Sequence, residues 1–222
     1  MDQYGVDYNI LTVVTQKTAG HAAEIYNYYK EQGWKYQQYI ACLDPLGEDR
    51  GKTPYALNPE QYGMFLTELF NLWYEDWKKG EQPYIRQFEN YIGILLGYQP
   101  ESCEQRGSCG IQNVVEADGS VYPCDFYALD EYKLGNFNCN RLEEIDKKRK
   151  EIAFVEQSQI VAENCKNCKF YKICKGGCRR NKDFNAMNGE YENYFCKSYR
   201  IFFDICLERM IQIVEIIKNQ KG

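Results

Sequence analysis

Eleven cysteines and one histidine stand in a chain of 222 residues. Sulfur is therefore the one soft donor present in quantity, and any metal or redox chemistry must run on it. A single His excludes the H-E-x-x-H zinc motif and the two-His iron sites, which need paired imidazoles. Eight of the cysteines are ordered: Cys103, Cys109 and Cys124, then Cys165-x2-Cys168-x5-Cys174-x3-Cys178, and last Cys196. Eight thiolates make two sets of four, the ligand count of two [4Fe–4S] clusters. Structural zinc favours repeated C-x2-C knuckles, and Cys165–Cys168 is one such pair. Disulfides belong to oxidising compartments, and the opening MDQYGVDYN has neither the basic nor the apolar region of a secretory signal. The iron–sulfur reading leads, with zinc and disulfides open beside it.

In ferredoxin-type runs the last cysteine serves the other cluster. Gly176-Gly177, directly before Cys178, offers a local reason for such a crossing. Glycine reverses the backbone at no steric cost, so Cys178 can point away from Cys165, Cys168 and Cys174. Lys166, Lys169, Lys172, Lys175, Arg179 and Arg180 crowd the same segment, and cations near the sulfurs favour reduced clusters. The remaining Cys42, Cys139 and Cys206 read as small buried hydrophobes.

The charge balance, 27 basic against 32 acidic residues, gives −5. That argues against nucleic acid or an anionic membrane as the main partner. The apolar stretch from Phe195 to Lys218 is broken by Lys197, Arg200, Asp204, Glu208 and Arg209, so it reads as a helix and not a membrane span. A cytoplasmic location is expected.

Several elements must position these residues. Asn9–Thr15 (NILTVVT) is a β-branched run suited to a strand covered on both faces. A helix opens at Thr18 or Gly20 and runs to about Gln32, closed by Gly33. Tyr36–Leu43 is a second strand, and the crossover length fits parallel pairing. Two strands alone make no stable parallel sheet, so this unit reads as the end of a larger α/β domain. Asn58-Pro59 starts a helix with an apolar and aromatic stripe from Tyr62 to Trp77. Another helix is predicted over Tyr84–Leu96. The character changes between residues 98 and 103. Ile111–Pro123 is a hairpin around Asp118-Gly119, Leu142–Val155 is helical, Cys165–Cys178 is too cysteine-dense for regular structure, and a last helix begins near Phe195.

The order Cys109-x9-Gly119-x4-Cys124, then Cys165 to Cys178, then a distant Cys196, resembles the SPASM domain of radical S-adenosylmethionine enzymes. More narrowly, VVEADGSVYPCDFYALDEYKLGN and CKNCKFYKICKGGCRR resemble the anaerobic sulfatase-maturating enzymes, while NILTVVT and YIACLDPLG resemble the last two strands of that family's partial barrel. The resemblance implies an α/β fold: the last strand–helix–strand unit of a partial (β/α)6 barrel in residues 1–98, with linking helices, then a SPASM domain in residues 99–222 with a small hairpin and a long C-terminal helix. It implies one auxiliary [4Fe–4S] cluster on Cys103, Cys109, Cys124 and Cys178, and a second on Cys165, Cys168, Cys174 and Cys196. It makes Asp125 the general base and puts Ile40 and Leu43 near the adenosyl group of S-adenosylmethionine. The implied reaction converts a Cys or Ser of a sulfatase to Cα-formylglycine: a 5′-deoxyadenosyl radical removes a Cβ hydrogen, the base takes the heteroatom proton, and the auxiliary clusters accept the remaining electron. The implied partners are the sulfatase, or another peptide substrate, and an electron donor such as ferredoxin or flavodoxin.

The family's C-x3-C-x2-C loop is absent from this sequence, whose first cysteines are Cys42 and Cys103. S-adenosylmethionine and a third [4Fe–4S] cluster are therefore expected only in a full-length enzyme, and this chain alone is expected to be inactive. The alternatives are a non-catalytic two-cluster electron-transfer or peptide-docking module, and a maturase of another peptide.

Overall fold

The computed structural model describes residues 2–220. The chain divides into two compact units, one of residues 1–102 with 194–222 and the other of residues 103–193. In the first unit, β1 (Ile10–Val14), α1 (Ala22–Glu31) and β2 (Tyr36–Ala41) form the expected strand–helix–strand, with β1 and β2 parallel from Ile10 opposite Gln37 to Val14 opposite Ala41. The helix α2 (Pro59–Trp77) starts where Asn58 Oδ1 accepts from the Gln61 amide at 2.8 Å, with Pro59 at the first helical position. The sheet is not limited to two strands. Tyr84–Ile85 forms β3, parallel to β2, and the helix expected from Tyr84 begins after it as α3 (Arg86–Leu95). Two residues leave no periodicity to read in a sequence.

A second difference concerns β1, expected to be covered on both faces. Leu11 and Val13 are 58% and 52% exposed while Val14 is fully buried. Successive side chains of a strand face opposite ways, and within the first unit no described element covers the Leu11–Val13 face. In the order β1-β2-β3, β1 is an edge.

The second unit begins with a single turn, α4 (Cys103–Arg106). The expected hairpin is β4 (Val114–Val115) and β5 (Ser120–Tyr122), extended by β6 (Gly135–Asn136). Asp118 ties its turn by accepting from the Ser120 amide at 2.9 Å and hydroxyl at 2.7 Å. Val121, Leu134 and Ile145 form a small core under this sheet. The helix expected over Leu142–Val155 is broken in two, α5 (Leu142–Glu151) and α6 (Phe154–Ser158), because Ala153 takes a left-handed conformation with φ 46°. That turn directs Phe154 into the core against Tyr127. Two further turns, α7 (Glu163–Lys166) and α8 (Tyr171–Cys174), carry the cysteine-dense segment, and a hairpin of β7 (Lys182–Asn185) and β8 (Glu190–Asn193) ends the unit.

The chain then returns to the first unit as α9 (Cys196–Gln220), a helix the domain division at residue 99 groups with the cysteine-rich segment. It packs along α2 so closely that a Cβ on Gly63 would stand 3.0 Å from Ser198 O and 3.1 Å from Ile201 Cβ. Phe70, Trp73, Phe88 and Phe202 interlock there, with ring centroids 5.2–5.9 Å apart. The buried indole of Trp73 donates to Pro83 O at 2.9 Å. Among the described residues no helix is long and apolar enough to cross a membrane. Of the three spare cysteines, Cys206 is buried as expected, whereas Cys42 is half-buried at the end of β2 and Cys139 is exposed in the turn after β6, its thiol 3.6 Å from Asn136 O.

Candidate metal centre

All eleven cysteines are free thiols, so the disulfide alternative finds no pair among them. Cys103 opens α4, and the loop to Cys109 is closed by Gly107, whose amide donates back to Cys103 O at 3.1 Å. Gly107 has φ +72°, and a Cβ there would lie 2.5 Å from Lys175 O. Only glycine lets the Cys103–Cys109 loop rest on the backbone that follows Cys174. That backbone makes a sharp reversal, because Lys175, Gly176 and Gly177 are consecutively left-handed at φ 56°, 83° and 71°. The reversal carries Cys178 away from α8 and back to the Cys103–Cys109 loop.

The result is a shallow recess lined by Cys103, Cys109 and Cys178, with Gly107, Ser158 and Arg179. Ser158 Oγ accepts from the Cys109 amide at 2.8 Å and fixes that loop to the end of α6. Cys178 Sγ accepts from the Arg180 amide. Cys124, at the end of β5, lies within the electrostatic reach of Cys109, as do Cys103 and Cys178. Burial pushes the Cys178 thiol well above its ordinary value, and Glu104 and the neighbouring Cys103 and Cys109 push the same way. Partial enclosure, Cys109 and Glu104 likewise raise Cys103. Ligation must therefore displace protons that these thiols hold firmly.

As they stand, no three His, Cys, Asp or Glu side chains among the described residues are gathered tightly enough to hold a metal ion. The donor set is nevertheless all sulfur, faces a shared recess and is bordered by fixed cations, a setting that fits a thiolate-ligated cluster. Arg179 is one such cation. Its guanidinium sits 4.5 Å from the Phe154 ring centre, 5.2 Å from Tyr127 and 6.0 Å from Tyr132, and donates to Phe154 O at 2.8 Å and Gln157 Oε1 at 2.6 Å. Neither this three-ring seat nor the Ser158 bond was legible in the cysteine pattern. Gly107 was missed as well, although a glycine inside a C-x5-C loop is a signal that could have found it.

The other residues stand as follows. Cys165 lies in α7, Cys168 follows it with its amide on Cys165 O at 3.1 Å, and Cys174 ends α8; all three are half-buried. Cys196 opens α9 in the first unit and is exposed. Asp125 is exposed at the start of a 3-10 turn, where its Oδ1 accepts from Cys124 Sγ at 3.2 Å. Ile40 is in β2 and Leu43 just beyond its carboxyl end, both half-buried.

The family described as SPASM, an iron–sulfur cluster-binding domain, matches residues 103–169. A cysteine-type anaerobic sulfatase-maturating enzyme of Clostridium perfringens strain 13 is 45% identical over 97% of this chain and 58% of its own length. The cysteine-type enzyme of Clostridium novyi is 42% identical over 98% of this chain and 58% of its own. A serine-type enzyme of Bacteroides thetaiotaomicron is 29% identical over 100% of this chain and 57% of its own. The solved structure of native anSMEcpe with bound AdoMet and Cp18Cys peptide superposes with a TM-score of 0.90 at 44% identity, covering 97% of this chain and 60% of that one. The chain thus spans a little under three fifths of the length of these relatives. With its end of a partial barrel, its cysteine-rich SPASM segment and its long last helix, the chain corresponds in sequence and fold to the carboxyl-terminal part of the anaerobic sulfatase-maturating enzymes.

Proposed function

We propose that this chain is the electron-accepting, substrate-side part of an enzyme that oxidises a residue of a sulfatase to Cα-formylglycine. The observation that carries the reading is the return of Cys178 to the recess of Cys103 and Cys109, in a chain so similar to sulfatase-maturating enzymes. Residues 99–222 are the working SPASM domain in this reading, and residues 1–98 the end of the barrel with its linking helices. Cys103, Cys109, Cys124 and Cys178 hold one [4Fe–4S] cluster. Cys165, Cys168 and Cys174 hold the second, with Cys196 as the fourth thiolate that the resemblance implies. Bound there, the clusters supply one-electron acceptors.

Asp125 receives the proton of the substrate side chain. Its Oδ1 accepts from the Cys124 thiol; were Cys124 to hold a cluster, its sulfur would have no proton to give, and that oxygen would be free to accept one from a substrate. Its exposure on a turn suits contact with a peptide. Higher identity to the cysteine-type than to the serine-type relative favours a cysteine as the residue oxidised. Ile40 and Leu43, at the carboxyl end of β2, are where a barrel contacts its cofactor, here the adenosyl group of S-adenosylmethionine. That cofactor, a third cluster and an electron donor such as ferredoxin or flavodoxin belong to the full-length enzyme in the cytoplasm.

Anaerobic reconstitution with iron and sulfide, followed by metal analysis, tests the assignment. About eight irons per chain are expected, and about four after Cys178→Ala. A wild-type chain that saturates near four irons, or binds zinc in their place, overturns it.

A further inference from the structure

We propose that Lys182 is a fixed cation shared by the two cysteine sets of the second unit, and that its charge sets how readily the clusters held there are reduced. Lys182 opens β7, beyond the reversal that delivers Cys178. Its stem passes over that reversal: a Cβ built on Gly176 would lie 4.0 Å from Lys182 Cε. Its Nζ donates to Ser158 O at 2.8 Å and to Ile160 O at 3.0 Å, two carbonyls at and just beyond the end of α6. Ser158 is the residue whose hydroxyl receives the Cys109 amide. The ammonium is therefore pinned to the segment that holds Cys109 and lies against the turn that presents Cys178.

Lys182 lies within the electrostatic reach of sulfur in both sets, Cys165 of one and Cys178 and Cys109 of the other. Burial pulls its pKa down, an effect that those three cysteines oppose and Arg179 reinforces. Its two hydrogen-bond acceptors are neutral carbonyls, which fix the position of the charge without cancelling it. By contrast, Lys166 on α7 spends its charge on Glu163 at 2.9 Å. A cation within reach of two anionic clusters would stabilise the added electron on each.

The proposal rests on the cluster assignment above, and the experiment separates the two. Full chains carrying wild-type Lys182, Lys182→Gln or Lys182→Arg are reconstituted anaerobically, their irons counted, and the clusters titrated electrochemically with electron paramagnetic resonance detection. Gln keeps a polar donor, one bond shorter than Lys, but has no charge; Arg keeps the charge. With iron unchanged, Lys182→Gln is expected to lower the reduced-to-oxidised ratio at a fixed potential about tenfold at both clusters, or about 59 mV for a one-electron couple. Lys182→Arg is expected to match wild type. Equal potentials in Gln and wild type overturn the proposal. So does an equal shift in Gln and Arg, or loss of iron from either, since both mark a structural strut. A wild-type chain that takes up no cluster overturns the assignment itself and this proposal with it.

Discussion

The Cys124 thiol donates to Asp125 Oδ1 at 3.2 Å and holds its proton firmly. Burial is the larger cause and the Asp125 carboxylate the next, together pushing the thiol up to about 12 from an ordinary 9.0. A thiol raised on folding stabilises the metal-free protein below pH 9, and that contribution is lost as the pH climbs from 9 to 12. Asp125→Asn removes the anionic acceptor while leaving the burial. Alkylation of Cys124 in the metal-free chain, followed against pH by site-resolved mass spectrometry, should therefore reach half its limiting rate at a lower pH than in wild type, yet still above 9. An unmoved profile would sink the pairing. The pair itself was legible, since P-C-D-F puts a carboxylate beside Cys124. The direction of the bond was not, because it depends on the Cys124 backbone being extended where the 3-10 turn begins.

The elements that declared themselves in the sequence were those with a strong local signal. The β-branched run gave β1, Asn58-Pro59 gave the start of α2, and Asp118-Gly119 gave the β4–β5 turn. The strands β3 and β6 were too short to show a period, and β7–β8 reads KDFN and EYEN, polar enough to pass for loop. The break at Ala153 was hidden because tertiary packing of Phe154 decides it, against local helix propensity. Contact between distant elements is also where Gly63 acts. It lets α2 and α9 approach, with Ser198 O and Ile201 Cβ only 3.0–3.1 Å from where a Cβ would sit. Gly63→Val should overpack this seam and cost about 1–3 kcal/mol, read as a lower urea midpoint at an unchanged m-value. A midpoint within error of wild type would mean the two helices separate freely there.

At the scale of the whole molecule, the run of cysteines and the resemblance both predict that Cys178 leaves its neighbours, and the fold brings it beside Cys103 and Cys109, some seventy residues earlier. Gly176-Gly177 announced a reversal; where it leads is set by Gly107 resting on Lys175 and by Ser158 holding Cys109. The face of β1 is the opposite case, because the sequence forecast burial that the described residues do not supply. Leu11 and Val13 stay exposed on an edge strand whose free N–H and C=O groups are a template for another chain. A net charge of −5 spread over 222 residues offers little repulsion to oppose such pairing. The chain should self-associate with rising concentration in sedimentation velocity. The double variant Leu11→Lys with Val13→Lys places like charges on both edges brought together and removes the apolar face, so association should weaken by at least about tenfold, ~1.4 kcal/mol. Its secondary structure should be unchanged, because neither side chain is buried within its own unit. Equal association by wild type and double variant would move the sticky surface elsewhere and leave β1 an edge that its own twist protects.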